Sequence, residues 1–181
     1  KIPPQYFDEI IAGVQMDLTV TRYNSFEELS DYCYRVASVV GLICLEIFGY
    51  SDPEAKQSAI DLGIAMQLVN IMRDVKEDAE RDRVYLPQDE LSKFGYSEEA
   101  ILAGVYDERF VELMRFQATR ARDFFQKGMD LLPMVSARSR ACPAILGGLY
   151  WTLLDRMEER NWNVFEGRVR LSTRQKLWLA G

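Results

Sequence analysis

The stretch Leu68 to Pro87, LVNIMRDVKEDAERDRVYLP, opens as an almost wholly apolar segment and ends in two carboxylates, Asp74 and Asp78, with arginines around them. On an ideal helix advancing about 100° per residue from Gln67, Asn70, Asp74 and Asp78 fall at roughly −60°, −20° and +20°. Gln67, Asn70, Asp74 and Asp78 therefore share one narrow stripe. Leu62, Ala65, Met66, Leu68, Val69, Ile71, Met72 and Val75 take nearly every other direction. A helix apolar all round is normally buried, and an unpaired buried amide or carboxylate costs about 1 to 3 kcal/mol or more. The stripe should face a cavity, a partner or an ion.

On spacing alone, a second reading is open: a helix end that becomes solvated at Asp74, its acids paired with Arg73, Lys76 and Arg81, is a common surface arrangement. Gln67 and Asn70 argue against it, because they carry the stripe two turns back into the apolar segment. Carboxylates one turn apart repel, and a cation between them relieves the repulsion. Two Asp and an amide form an oxygen-only donor set, which suits Mg²⁺ held jointly with waters and substrate phosphates. Arg73 lies about 100° off the stripe but can reach a phosphate at the helix end, and Arg81 and Arg83 add anion contacts in the loop.

The 181 residues are 48% hydrophobic, enough for one domain with its own core. A formal charge of −6 and the lack of any basic run make nucleic acid an unsuitable partner. Histidine is absent, which removes histidine-based nucleophile systems and histidine metal sites. Cys33, Cys44 and Cys142 form no CxxC pair, so a reducing, cytoplasmic setting is expected. No apolar run is long enough to span a bilayer.

Apolar residues recur at helical spacing almost throughout, and the expected fold class is all-α. Pro3-Pro4 opens a helix to about Leu18, and Ser25-x-x-Glu28 caps one running to about Phe48, where Gly49 ends it. Asp52-Pro53-Glu54 begins a helix to about Glu80. Short helices are expected near Pro87–Leu91 and after Ser97, a long one over Asp107 to Gly128, another from Pro143 to about Asn161, and a last one from Ser172-x-x-Gln175. The methionines and aromatics of the long helix read as packing, not as a cofactor box.

A second apolar helix, YCYRVASVVGLICLEIFGY from Tyr32 to Tyr50, carries Cys33, Ala37, Gly41 and Cys44 along one side. Such a strip allows close helix approach, and packing is its ordinary role; a smooth wall for a long hydrocarbon is the alternative. Together, YCYRVASVVG and AMQLVNIMRDVKEDAERDRVYLPQDEL resemble the squalene/phytoene synthase family, the likeness extending from GVQMDL at Gly13 to RLSTRQKLWLA at the end. The tail from Leu149 is most similar to bacterial presqualene diphosphate or squalene synthases of hopanoid pathways.

The resemblance implies the helical prenyl-synthase (isoprenoid synthase) fold and Mg²⁺-dependent head-to-head condensation of two prenyl diphosphates. It makes Asn70, Asp74 and Asp78 metal–diphosphate ligands and gives Gln67, Arg73 and Arg168 substrate contacts. Tyr32, Tyr85 and Tyr150 become the catalytic tyrosines, Tyr32 near the reacting carbons. The expected reaction is two farnesyl diphosphates to presqualene diphosphate or squalene, the latter requiring NADPH. Phytoene from two geranylgeranyl diphosphates is the alternative, needing no reductant and a deeper pocket. A non-catalytic helical binding module is the rival from another class. Peripheral membrane contact would suit a lipid product, and the oligomeric state is not legible.

Two departures from the family pattern stand out. Arg81-Asp82-Arg83 replaces the usual Arg-Gly-Arg before Tyr-Leu-Pro. No DxxxD motif precedes Asp74, so the family's first aspartate-rich motif is expected before Lys1. On that reading residues 1–181 are the C-terminal part of a single prenyltransferase domain, its N-terminal helices absent, and the chain by itself is expected to be inactive, with apolar surface left open.

Overall fold

A computed structural model describes residues 1–174 of the chain. Among these the fold is helical, with two isolated bridges, Arg22 to Val84 and Tyr50 to Val135, in place of strands. The helices are α1 (Pro4–Thr19), α2 (Phe26–Cys33), α3 (Val39–Phe48), α4 (Ala55–Arg73), α5 (Val75–Ala79), α6 (Gln88–Lys93), α7 (Glu98–Leu102), α8 (Glu108–Met129) and α9 (Ala137–Glu159). No helix among the described residues is long and apolar enough to cross a membrane.

Local chemistry accounts for most helix starts. Ser25, Ser97 and Asp107 each accept a backbone N–H with their side chain, and Pro4 opens α1. Glu28 reaches one residue further back than a capping box predicts, accepting the N–H of Asn24 at 2.7 Å. Gly49 adopts φ 72° and ends α3. One boundary is corrected. The helix expected from Pro143 starts earlier, at Ala137, because Ser136 caps it through the Ser139 N–H and Pro143 is carried inside the helix. The last expected helix depends on a capping box whose Gln175 lies outside the described residues.

α4 is the central element. Leu62, Ala65, Leu68, Val69, Ile71 and Met72 are buried along it, packed against α8 on one side and the Tyr32–Phe48 segment on the other. Glycines set these approaches. A Cβ at Gly128 would lie 2.6 Å from the Leu62 backbone nitrogen, and one at Gly63 would lie 2.5 Å from Ser38 Cα. Ser38 also donates its hydroxyl to the Ile60 carbonyl at 2.7 Å.

That contact coincides with the first correction to helix continuity. The helix expected over Ser25 to Phe48 is broken by a π-helical turn, Tyr34–Ser38, between α2 and α3. One inserted residue lets Ser38 seat on the bare backbone of Gly63 while Tyr32 keeps its own buried position. The second correction is at Asp74, whose φ −101° and ψ 12° separate α4 from α5, although its N–H still bonds to the Asn70 carbonyl.

Candidate functional site

The polar stripe survives the break at Asp74. Gln67, Asn70, Asp74 and Asp78 are all half-buried, whereas Leu68, Ile71, Met72 and Val75 around them are buried. Asn70 Nδ2 donates to Gln67 Oε1 at 3.2 Å, which leaves the Asn70 side-chain oxygen Oδ1 free to accept elsewhere.

Asp74 is held by two guanidiniums. Arg73 Nε and Nη2 donate to its two oxygens at 2.7 and 2.6 Å, and Arg168 does the same at 2.7 and 2.7 Å. Burial raises the pKa of this carboxyl, but the hydrogen bonds from Arg73 and Arg168 outweigh it and hold the carboxyl below its ordinary value. Arg168 arrives from the segment after α9, and with Arg73 and Tyr150 it lines an open basin of about 380 Å³ beside Asp74.

Asp78 behaves in the opposite way. It has no ion pair or hydrogen bond at its carboxylate among the described residues, and burial followed by the charge of Asp74 pushes it up to about 6, against the pull of Arg81 and Arg83. Neighbouring Glu77 keeps one carboxylate oxygen buried without a hydrogen-bond partner. Asp78 shares a small recess with Ile71, Arg83 and Tyr85. No cluster of three His, Cys, Asp or Glu gathers to hold a metal among the described residues. The donors are two carboxylates one turn apart and the free oxygen of Asn70, a set that fits Mg²⁺ completing its shell with waters and substrate oxygens.

The tyrosines form the second group. Tyr32 and Tyr85 both donate to Asp17 Oδ1, at 2.9 and 3.4 Å, and their ring centroids lie 5.4 Å apart with Tyr23 completing a buried aromatic trio. Burial first, then neighbouring oxygens, raises the pKa of Tyr32, so both phenols stay neutral donors at physiological pH. Arg83 Nη2 donates to the Asp17 carbonyl at 2.8 Å, tying the loop after α5 to α1. Tyr150 does not join this trio; it stands with Arg73 and Arg168.

Sequence reasoning missed Asp17. A signal exists: Gly13 and Asp17 are one turn apart, and Gly13 faces Arg35 and Val36 so closely that a Cβ would meet Arg35 Cβ at 2.9 Å. An acid on that face has to point at the helix carrying Tyr32. The Asp82 departure also resolves here. Asp82 adopts φ 55°, a left-handed conformation that glycine favours and aspartate tolerates, and its carboxylate pairs with Arg22 at 2.7 Å.

The strip of small residues on the Tyr32–Tyr50 segment packs closely on α4 and also borders an apolar cavity. Gly41 lies against α4, where a Cβ would be 3.4 Å from the Ala59 carbonyl oxygen. Ala37, Gly41 and Cys44 also line an apolar cavity of about 130 Å³ between α3, α4 and α9, with Val40, Met66 and Phe48. Val39 and Leu68 do not line it and are core residues at 0% and 1% exposure.

A helical domain with a carboxylate and arginine cluster at one end of its central helix, tyrosines beside it and an apolar cavity below is the architecture of isoprenoid synthases. The chain belongs to the squalene/phytoene synthase family, whose model matches residues 1–175. It is 42% identical to a phytoene synthase of Arthrospira platensis and 42% identical to a 15-cis-phytoene synthase of Synechococcus elongatus, each match covering 96% of this chain and 60% of the relative. Among solved structures it is similar to a dehydrosqualene synthase in complex with ligand, at TM-score 0.90, 25% identity and 99% and 63% coverage. Squalene synthase HpnC from Alicyclobacillus acidocaldarius superposes at TM-score 0.86 with 26% identity and 89% and 61% coverage. The chain thus spans about three-fifths of the length of these curated relatives.

These identities correct the expected reaction. Farnesyl condensation to presqualene diphosphate or squalene rests on motifs that both branches of the family share and on the tail, part of which lies beyond residue 174. The phytoene synthases are 42% identical, whereas the squalene synthase is 26% identical, so that expectation and the hopanoid assignment are withdrawn.

Proposed function

We propose that the whole protein is a prenyltransferase that condenses two geranylgeranyl diphosphates head to head to phytoene, and that this chain supplies one wall of its metal–diphosphate site as the C-terminal part of a single helical domain. The identity to proteins named phytoene synthase, 42% over nearly the whole chain, carries this reading. In this reading Asn70, Asp74 and Asp78 would hold Mg²⁺, which would supply positive charge to offset that of a departing diphosphate. Arg73 and Arg168 bind the diphosphate oxygens, with Gln67 orienting Asn70 through their hydrogen bond. Tyr32 and Tyr85, neutral and anchored on Asp17, present aromatic faces and fixed oxygens beside the reacting carbons. The apolar cavity keeps water from the allylic cation. No reductant enters this reaction.

The test is product analysis by the full-length protein with farnesyl or geranylgeranyl diphosphate, with Mg²⁺ and with or without NADPH. Phytoene from geranylgeranyl diphosphate, independent of NADPH, is expected. Squalene or presqualene diphosphate as the sole product would overturn the reading. Unchanged activity in Asp74→Ala and Asn70→Ala would favour a binding module without catalysis.

A further inference from the structure

The apolar cavity has an end, and the identity of that end is visible. Phe48 and Val135 line the cavity of about 130 Å³ on its inner side. The same two residues line a separate surface basin of about 310 Å³ on the outer side, together with Tyr50, Ser51 and Met134. They are therefore the partition between the cavity and this outer basin. The backbone behind them is fixed: Tyr50 bridges Val135, and Ser51 donates both its N–H and its hydroxyl to the Met134 carbonyl, at 2.9 and 3.1 Å. Phe48 is half-buried at the last position of α3, so its ring is the part of the partition that a substitution changes without moving the chain.

The distance from the polar end to this partition can be read along the helices. Ser38 meets Gly63 and Gly41 meets the Ala59 carbonyl, so the α3 segment and α4 run antiparallel. Continuing that register puts Tyr32 level with the turn of α4 that holds Gln67 and Asn70. From Tyr32 to Phe48 is sixteen residues, about 24 Å at 1.5 Å per residue. An extended prenyl chain advances about 5 Å per isoprene unit, given carbon–carbon bonds near 1.5 Å. Four units occupy about 20 Å and bring the terminal methyls to the Phe48 ring; three units occupy about 15 Å and stop well short of it.

We infer that Phe48, backed by Val135, is the residue against which the distal end of the hydrocarbon stops, setting the upper chain length at four isoprene units. Cys44, one turn nearer the polar end on the same wall, is the position where added bulk would shorten the limit to three. Removing the Phe48 ring would join the cavity to the outer basin and admit a fifth unit. This inference rests on the prenyl diphosphate reading of the site, and its test separates the two.

The full-length protein and its Phe48→Ala, Phe48→Leu and Cys44→Phe variants would be given three-, four- and five-unit allylic diphosphates in pairwise competition, with products quantified by mass spectrometry and folding checked by circular dichroism. Phe48→Ala should raise the five-unit to four-unit ratio of kcat/KM by about tenfold or more, Phe48→Leu should raise it less, and Cys44→Phe should move preference toward three units by a similar factor. Ratios unchanged within about twofold in folded variants of an active enzyme, or an equal loss on all substrates, would overturn the assignment of Phe48. If Phe48→Ala does not fold, Phe48→Leu and Cys44→Phe decide by the same ratios. A wild-type protein that condenses none of these diphosphates counts against the proposed function itself.

Discussion

Replacing Asp78 by asparagine should make the metal-free protein more stable. Burial and the neighbouring charge of Asp74 push the Asp78 carboxyl up to about 6 from an ordinary 3.8, and among the described residues no cation pairs with it directly. At about 1.4 kcal/mol per unit that displacement corresponds to about 3 kcal/mol, but the side chain is only half-buried and solvent screening reduces the value to about 1 to 2 kcal/mol. The sign follows from proton binding. Between about pH 4 and 6 the folded state keeps a proton that the unfolded state has lost, so this group contributes stability below about pH 4 that disappears as pH rises through 6.

The amide introduced by Asp78→Asn cannot ionise and escapes that loss. The variant and the wild type should therefore unfold alike near pH 4, and above pH 6 the variant should gain about 1 to 2 kcal/mol, a rise of about 2 to 8 °C in Tm for a chain of this size. The measurement is thermal and urea unfolding in chelator at pH 4, 5, 6 and 7.5. Asp74 contributes in the opposite sense, losing stability as pH falls through its lowered value, but it does so in both proteins and largely cancels in the difference. A flat difference across pH, or an Asp78→Asn variant less stable than the wild type at pH 7.5, would refute the reasoning. In the full-length enzyme the same substitution should remove activity, since a carboxylate held at a cost to stability is the mark of a functional site.

Two other substitutions test the packing that positions the site. Gly63→Ala places a methyl 2.5 Å from Ser38 Cα and should cost about 1 to 3 kcal/mol in urea unfolding, whereas Gly41→Ala, whose methyl would rest in van der Waals contact at 3.4 Å from the Ala59 carbonyl oxygen, should be neutral or better. Asp17→Ala leaves the Tyr32 and Tyr85 hydroxyls without their acceptor, at about 1 to 3 kcal/mol each, while Asp17→Asn retains the acceptor oxygen and should lose less. In a Tyr32→Phe, Tyr85→Phe background the gap between the Ala and Asn variants should close, which double-mutant unfolding cycles would measure.

What could be read from the sequence was what short-range chemistry controls. Ser25, Ser97, Asp107 and Gly49 mark helix ends because caps and left-handed turns are settled by a few neighbouring atoms. The polar stripe was legible because Gln67 and Asn70 interrupt an apolar pattern at helical spacing. The π-helical turn was not, since it arises where Ser38 meets a glycine on another helix, twenty-five residues away in sequence. Asp17 escaped notice for the same reason: its meaning lies in two tyrosines from different elements. Substrate choice escaped too, because the motifs are common to the whole family and the cavity lining draws together residues as far apart in sequence as Phe48 and Val135, eighty-seven positions.

The stripe also reads differently in three dimensions. As spacing, Asp74 and Asp78 are an equivalent pair. In the fold they are not, because the break at Asp74 turns its carboxylate toward Arg73 and Arg168 and leaves Asp78 in the recess beside Tyr85. One carboxylate is neutralised and the other is frustrated. Under the proposed function an incoming diphosphate would compete with Asp74 for guanidiniums that are already aligned; each arginine bonds both carboxylate oxygens, so losing one would remove one hydrogen bond from each oxygen and losing both would free the carboxylate. A cation arriving with that diphosphate would then meet both acids uncompensated, and the proposed function therefore implies that anion and metal recognition are coupled through the same four hydrogen bonds.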